Sequence, residues 1–550
     1  MPAGFTTDEG IRVTRSQTDI YTRRAALLLV CAAVLVIAVL PVAILFLRAI
    51  VTDGQLNLDA FHTVLSSPRQ WRLLGNSLMV AGGTACLATL IGAPAGYALA
   101  YARVPARRTL AALFAIPALL PPYVLATAWT TMLGTNGLFG AWLVAFLPMG
   151  QARPSPFSVP GVILVLAFTY YPLVAFATMI ALGRFDGRLE EAALLAGQRA
   201  RVFRSVVVPL TLPSVLTGAL CVFVLALLNF SVPSLMQVDT YPVELYASSA
   251  TYDYAAATAQ SLPLLALCLM ALCAWAMFLR PRNAWLTGAR RERSLRVSSH
   301  MRTWAAAGCW GLALLSVFAP LASLFVRSLP LRTYLSVWET ARDEFVTSLL
   351  VGVLSATLLA GLAFLQCTLL GGGRRAATLM FAELLPFAVT GPLLSLGSIA
   401  LWNRDGFPGL VYDSMNIVVL VCVARYLFIA AGILAVGERR LNPRLHEAAR
   451  VHGVSWWRGM FGVTLPLQAP FFVACWGLAF VFAVGELDAT VLVCPPGKTT
   501  LAIRLFTLMH YGPDAYVAAL SLITAIVILC ASACAAWAYG RMGNAHAASH

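Results

Sequence analysis

Charge is scarce in this chain. Only 11% of its 550 residues are charged, against about 25% in a soluble domain. Lysine is almost missing: Lys498 is the only one, and arginine supplies the other basic residues. Nucleotide-binding and hydrolytic signatures are missing too. No G-x-x-x-x-G-K-[ST] loop occurs, which removes an ATPase site of that type. Gly371-Gly372-Gly373-Arg374 lacks the lysine and reads as a tight turn. No HExxH, nucleophile elbow or paired-carboxylate motif is present, so covalent catalysis has no foothold. Twelve cysteines are present but no C-x-x-C. They sit in apolar runs, where cysteine acts as a small hydrophobe.

What is abundant is apolar surface. Hydrophobic residues make up 60% of the chain, and the mean hydropathy is +0.81. Single soluble cores stop growing near about 250–300 residues, and these residues are spread from end to end. A soluble enzyme, a disordered chain and a disulfide scaffold are therefore excluded, and lipid is the solvent for most of the protein. A bilayer crossing takes about 20 apolar residues. Twelve such runs lie near 25–49, 77–101, 110–133, 158–183, 209–236, 258–279, 303–326, 346–369, 376–401, 415–437, 467–494 and 516–539. Prolines interrupt several of them (Pro94, Pro121, Pro122, Pro172, Pro386, Pro392), which membrane helices tolerate when neighbours satisfy the freed carbonyl. The first run is too long for a signal-peptide core and is expected to be a retained helix.

The formal net charge of +15 would point to nucleic acid on a soluble protein. The arginines have another explanation. With the N-terminus in the cytoplasm, 27 basic residues fall in inside segments and 9 in outside ones. That bias is the positive-inside pattern. It predicts both termini inside and leaves no nucleic-acid partner to invoke. The fold expected is an all-α polytopic membrane protein of about twelve helices, N-in and C-in. Residues 281–302 carry a dense arginine run and read as a cytoplasmic linker between two six-helix domains, 25–280 and 303–541, with cytoplasmic tails at 1–24 and 542–550. Because six is even, the two domains form a parallel repeat.

The repeat is sharpest in two loops. Arg188-Leu189-Glu190-Glu191-Ala192-Ala193-Leu194-Leu195-Ala196-Gly197 follows helix 4, and Arg444-Leu445-His446-Glu447-Ala448-Ala449-Arg450-Val451-His452-Gly453 follows helix 10. Both read R-L-x-E-A-A-x-x-x-G at equivalent places. Glu-Ala-Ala favours a short helix, alanines leave a narrow face for a groove on another protein, and glycine can end the helix in a left-handed turn. Asn76-Ser77-Leu78 and Thr347-Ser348-Leu349 open helices 2 and 8 in the same way.

With these loops the chain resembles the permease subunits of binding-protein-dependent ABC importers, whose signature is E-A-A-x3-G-x9-I-x-L-P. The second copy fits through Glu447-Ala448-Ala449, Gly453 and Val463-Thr464-Leu465-Pro466. The first departs after Gly197: Pro209 comes one residue early and Val208 stands in place of the leucine. The resemblance covers almost the whole chain as two fused domains in a bacterial inner membrane. It implies that Glu191, Ala192, Ala193, Gly197, Glu447, Ala448, Ala449 and Gly453 contact two copies of a cytoplasmic ATPase. It also implies that ATP binds those partners, that this chain holds no cofactor or metal, and that a periplasmic binding protein delivers the solute.

Ionisable residues inside spans are costly and often functional. Glu383, Arg425, Glu486 and Asp488 stand out. In the family, helix 5 of each domain lines the path, which nominates Asn229 and Glu486 at equivalent places, then Asp488, Tyr170 and Tyr171. A polar hinge or an interhelical hydrogen bond is the plainer reading of the same residues. Gly92-x-x-x-Gly96 reads as close helix packing. The stretch from Gly485 to Gly512 resembles the ferric permeases, making iron(III) the expected solute, with thiamine, phosphonate or polyamine as alternatives. His510-Tyr511 reads as a satisfied loop pair rather than a metal site. The rival from another class is a twelve-helix secondary transporter. Its G-x-x-x-D-R-x-G-R-R-like loop would fall at Tyr101–Arg108, where no aspartate occurs.

Overall fold

The computed structural model describes all residues except 1–6, 53–54, 57–58, 101, 103, 135–136, 138–154, 185–198, 252–253, 276, 278–297, 372, 453 and 549–550. The regular elements among the described residues are helices, apart from two two-residue strands, Val51–Thr52 and Gln55–Leu56. In chain order the helices used below are α1 (Thr7–Val34), α2 (Leu40–Ile50), α3 (Pro68–Ala100), α4 (Arg107–Leu119), α5 (Pro122–Leu133), α6 (Val159–Arg184), α7 (Val208–Leu227), α8 (Ser231–Leu235), α9 (Tyr241–Ala250) and α10 (Tyr254–Ala274). They continue as α11 (Ser299–Ala313), α12 (Ala319–Arg327), α13 (Arg332–Leu370), α14 (Arg374–Ala388), α15 (Gly391–Trp402), α16 (Asn416–Glu438), α17 (Pro443–Val451), α18 (Leu465–Val484), α19 (Leu501–Leu508) and α20 (Asp514–Ala548).

Among the described residues, ten spans are long and apolar enough to cross a bilayer. Two further runs, expected as helices 3 and 9, are each a bent pair. α4 and α5 meet at 98°, and α14 and α15 at 107°. The count is therefore twelve only if each bent pair is one span. The bends have a backbone cause. Leu120 and Pro121 take ψ of 139° and 138°, and Val389 and Thr390 take 147° and 149°. Two extended residues in a row end the hydrogen-bond ladder. Leu120 precedes a proline, which disfavours the helical region there, and Pro122 sits at a first helical position that suits its fixed φ.

The chain divides into two compact units that interleave in sequence. One holds 1–51, 343–500 and 530–550; the other holds 52–342 and 501–529. In the first unit, α2 packs on α15, and the π-helical turn Leu35–Val39 packs on α14 and α16. Gly397 lets α15 approach closely, since a Cβ there would meet the Pro41 carbonyl oxygen at 2.4 Å. In the second unit, α3 packs along α6, with α7 against both and α11 against α3 and α4. Each unit thus takes the opening helix of one sequence half together with helices of the other half. Packing and sequence repeat divide the chain differently, and the halves at 25–280 and 303–541 remain a statement about sequence.

The α3–α6 contact rests on the G-x-x-x-G pair. A Cβ on Gly92 would meet the Tyr171 carbonyl oxygen at 2.4 Å, and one on Gly96 the Ala175 carbonyl oxygen at 2.5 Å. Gly96→Val is expected to lower the stability of the purified protein by about 1–3 kcal/mol through overpacking. Gly82→Ala, with nothing within 4 Å of the new methyl, should leave the melting temperature level or raise it. Equal melting of the two variants would contradict this packing.

Candidate translocation and coupling sites

Helices α7 and α18 both stop short of the next turn, and the same device secures each break. Asn229 Oδ1 accepts from the Val232 backbone N–H at 3.0 Å, and Glu486 Oε1 accepts from the Ala489 N–H at 2.7 Å. A side-chain acceptor is thus supplied to an orphan N–H three residues on, as at a helix N-cap. In each case the polar side chain closes the turn that follows its helix. Asn229 belongs to the unit holding Tyr170 and Tyr171, and Glu486 to the other.

The second half adds charge to its break. Glu486 Oε2 faces the Arg425 Nε at 3.5 Å and accepts from the Tyr426 hydroxyl. The Thr490 hydroxyl donates to the Glu486 carbonyl at 2.8 Å, and the Ser395 hydroxyl to the Ala489 carbonyl at 2.8 Å. Asp488 is buried beside them, and a Cβ on Gly391 would strike its carbonyl carbon at 2.4 Å. The tip of the α14–α15 bend therefore sits on the 486–490 turn. Glu486, Asp488 and Arg425 are brought together as charged groups of one site. Sequence reasoning missed Tyr426 and Ser395. The signal for Tyr426 existed: it lies 256 residues beyond Tyr170, the offset of the two R-L-x-E-A-A loops.

In the first half the equivalent place is uncharged. Thr169 stands opposite Arg425 in the repeat and donates to the Val165 carbonyl at 2.8 Å. Tyr171 is fully buried, with its hydroxyl 3.1 Å from the Ser316 Oγ and its ring edge-on to Phe114. Tyr170 is half-buried against the same apolar core. These tyrosines pack the first half and do not join Asn229.

On the second repeated loop, α17 is a helix, as its Glu-Ala-Ala run predicts. The Asn442 Oδ1 accepts from the Arg444 N–H at 3.1 Å, and Pro443 opens the helix. Its end is closed by His452 and Val454 N–H groups donating to Ala448 and Ala449 carbonyls, each at 3.0 Å. Leu445 and Val451 are exposed on it at 42% and 86%. Gly453 and the whole first loop, with Glu191, Ala192, Ala193 and Gly197, lie outside the described residues. The glycine-rich segment before α14 takes positive φ at Gly371 (60°) and Gly373 (129°), the tight turn expected. His510 Nδ1 lies 3.0 Å from the Phe506 carbonyl oxygen, and among the described residues no cluster of three metal-ligating side chains occurs.

Long apolar helices, a repeated pair of bends and two capped breaks define a polytopic membrane protein. A profile of the binding-protein-dependent transport system inner membrane component matches residues 374–544. The molybdenum transport system permease protein of Escherichia coli K12 is 30% identical over 239 residues, which is 42% of this chain and all of that relative. A putative ferric transport system permease protein of Haemophilus influenzae is 24% identical over 451 residues, 77% of this chain and 70% of the relative. A putative 2-aminoethylphosphonate transport system permease protein of Salmonella paratyphi A is 34% identical over 113 residues; the match takes in 20% of this chain and 43% of that relative's length. The chain belongs to the binding-protein-dependent permease family, and it is a multi-pass inner-membrane protein.

Proposed function

We propose that this chain is the membrane-spanning permease subunit of an ATP-driven importer and that its solute is iron(III). Two cytoplasmic ATPases bind the loops at Glu191–Gly197 and Glu447–Gly453, and a periplasmic binding protein presents the solute on the opposite face. ATP binding draws the loops together and switches access across the bilayer. The observation that carries the iron reading is the length of the match to the ferric relative, which runs through both halves of the chain. Iron(III) is a hard cation that prefers oxygen ligands, and Asn229, Glu486 and Asp488 supply oxygens. A path must release its cargo, so scattered oxygens suit it better than a closed cage.

Uptake of labelled iron(III) in cells lacking and then regaining the gene tests the solute. Iron uptake should fall and recover with the gene. Unchanged iron uptake beside lost phosphonate, molybdate or thiamine uptake would replace iron with that solute. The arginine bias gives a separate expectation for topology. Reporters fused after residue 60 and after residue 290 should read periplasmic and cytoplasmic. A periplasmic signal at 290 would reverse the orientation.

A further inference from the structure

Glu383 in α14 is fully buried, and Gln366 near the end of α13 is buried beside it. The Gln366 Nε2 donates to Glu383 Oε2 at 3.3 Å. The remaining oxygens, Glu383 Oε1 and Gln366 Oε1, are both buried and have no partner. An ionised carboxylate only accepts hydrogen bonds, as does an amide oxygen. In the charged form, then, neither oxygen can be satisfied by the other. A protonated carboxyl has one O–H to donate, which is the donor this pair lacks.

No compensating charge is at hand. Around Gln366 and Glu383 the titratable or charged side chains are Cys367 on α13, Cys422, Arg425, Tyr426 and Glu438 on α16, and Arg23, which reaches the end of α13 from α1; the other charged residues of α13 lie at its far end, 332–344, Arg374 and Arg375 are exposed at the start of α14, and the Leu35–Val39 turn has none. Arg425 and Tyr426 are engaged with Glu486, Glu438 with Gln468, Cys367 with the Ala431 carbonyl and Arg23 with the Leu369 carbonyl. No ion pair reaches Glu383 among the described residues. An isolated buried carboxylate is so costly that such groups neutralise instead.

The other half shows that packing does not require an acid here. Aligning the two bends, Leu120 with Val389 and Pro117 with Pro386, sets Phe114 opposite Glu383. Aligning Asn76-Ser77-Leu78 with Thr347-Ser348-Leu349 sets Ala95 opposite Gln366. Phe114 and Ala95 belong to one apolar core. A carboxyl and a carboxamide in the second half thus stand where the first half has two residues of an apolar core.

We propose that Glu383 is a proton-binding site, its proton held toward Gln366 between α13 and α14 at neutral pH. Parting these helices admits water and frees the proton. The closed arrangement therefore binds more protons than the parted one, and its stability falls as pH rises. This site stands apart from the identity of the solute.

The test uses the full chain in lipid nanodiscs, read by infrared spectroscopy at neutral pH in the carbonyl stretch of protonated carboxyls. The wild type should show a band that Glu383→Gln removes, equal to one carboxyl per chain, and that Glu344→Gln leaves in place. Glu383→Phe, which installs the residue of the first half, provides a second variant should the glutamine variant fold poorly; it too should lack the band. The melting temperature of the wild type should fall from mildly acid to mildly alkaline pH more steeply than that of either variant. A band unchanged by both substitutions, or equal pH slopes in all three proteins, would overturn the proposal.

Discussion

Glu486→Ala should cost the protein about 3–5 kcal/mol, because it strips a buried arginine of its counter-charge. Arg425 and Glu486 are 12% and 5% exposed, so water cannot replace the lost partner. The same substitution removes the acceptor for the Ala489 N–H, worth about 1 kcal/mol at a helix cap. Against a total stability of about 5–15 kcal/mol, the variant should yield little monodisperse protein. Asn229→Ala removes only the equivalent cap and should cost about 1 kcal/mol. Glu486→Gln keeps an acceptor but not the charge and should fall between them. The combination of Arg425→Met with Glu486→Gln should recover much of the loss, since apolar replacement of a buried pair is often neutral or better. Glu486→Ala melting with the wild type would show that the pair does not hold this turn.

Gly453→Asp should abolish solute-driven ATP turnover while the protein still inserts and purifies normally. The substitution places bulk and negative charge at the end of α17, where the family resemblance puts an ATPase groove. Loss of a central docking contact costs about 2 kcal/mol or more, roughly a thirtyfold fall in affinity for the ATPase. Pull-down of the ATPase on the wild-type and variant permease in nanodiscs measures this directly. Matching affinity and matching solute-stimulated hydrolysis would remove the coupling role from this loop. Gly197→Asp tests the first loop in the same assay.

The long apolar runs were plain from composition because lipid demands about 20 such residues whatever the tertiary contacts. The bends were half legible. Pro121, Pro122, Pro386 and Pro392 marked weak points, but a proline alone does not say whether a helix kinks or turns by 98°. In the second half the turn depends on Gly391 meeting residues 488 and 489, a contact nearly a hundred residues away. Asn229 and Glu486 were recognisable as polar equivalents. Their action as caps was hidden, since it depends on where α7 and α18 stop, and helix ends are the least legible feature of an apolar run. Tyr171 looked like a path residue because polarity inside a span attracts suspicion. Its hydroxyl finds Ser316, on a segment that the sequence assigned to the other half.

That a unit draws its opening helix from the other sequence half also has a consequence in time. α2 emerges during synthesis roughly 290 residues before the segment 343–500 that completes its unit. At about 5–20 residues per second, it waits on the order of 15–60 s in the membrane with its α15-facing side open to lipid or to an insertion chaperone. A ribosome that stalls in the arginine-rich 281–302 stretch would therefore leave a stranded first helix rather than a finished half, and the cell's membrane proteases would meet it first.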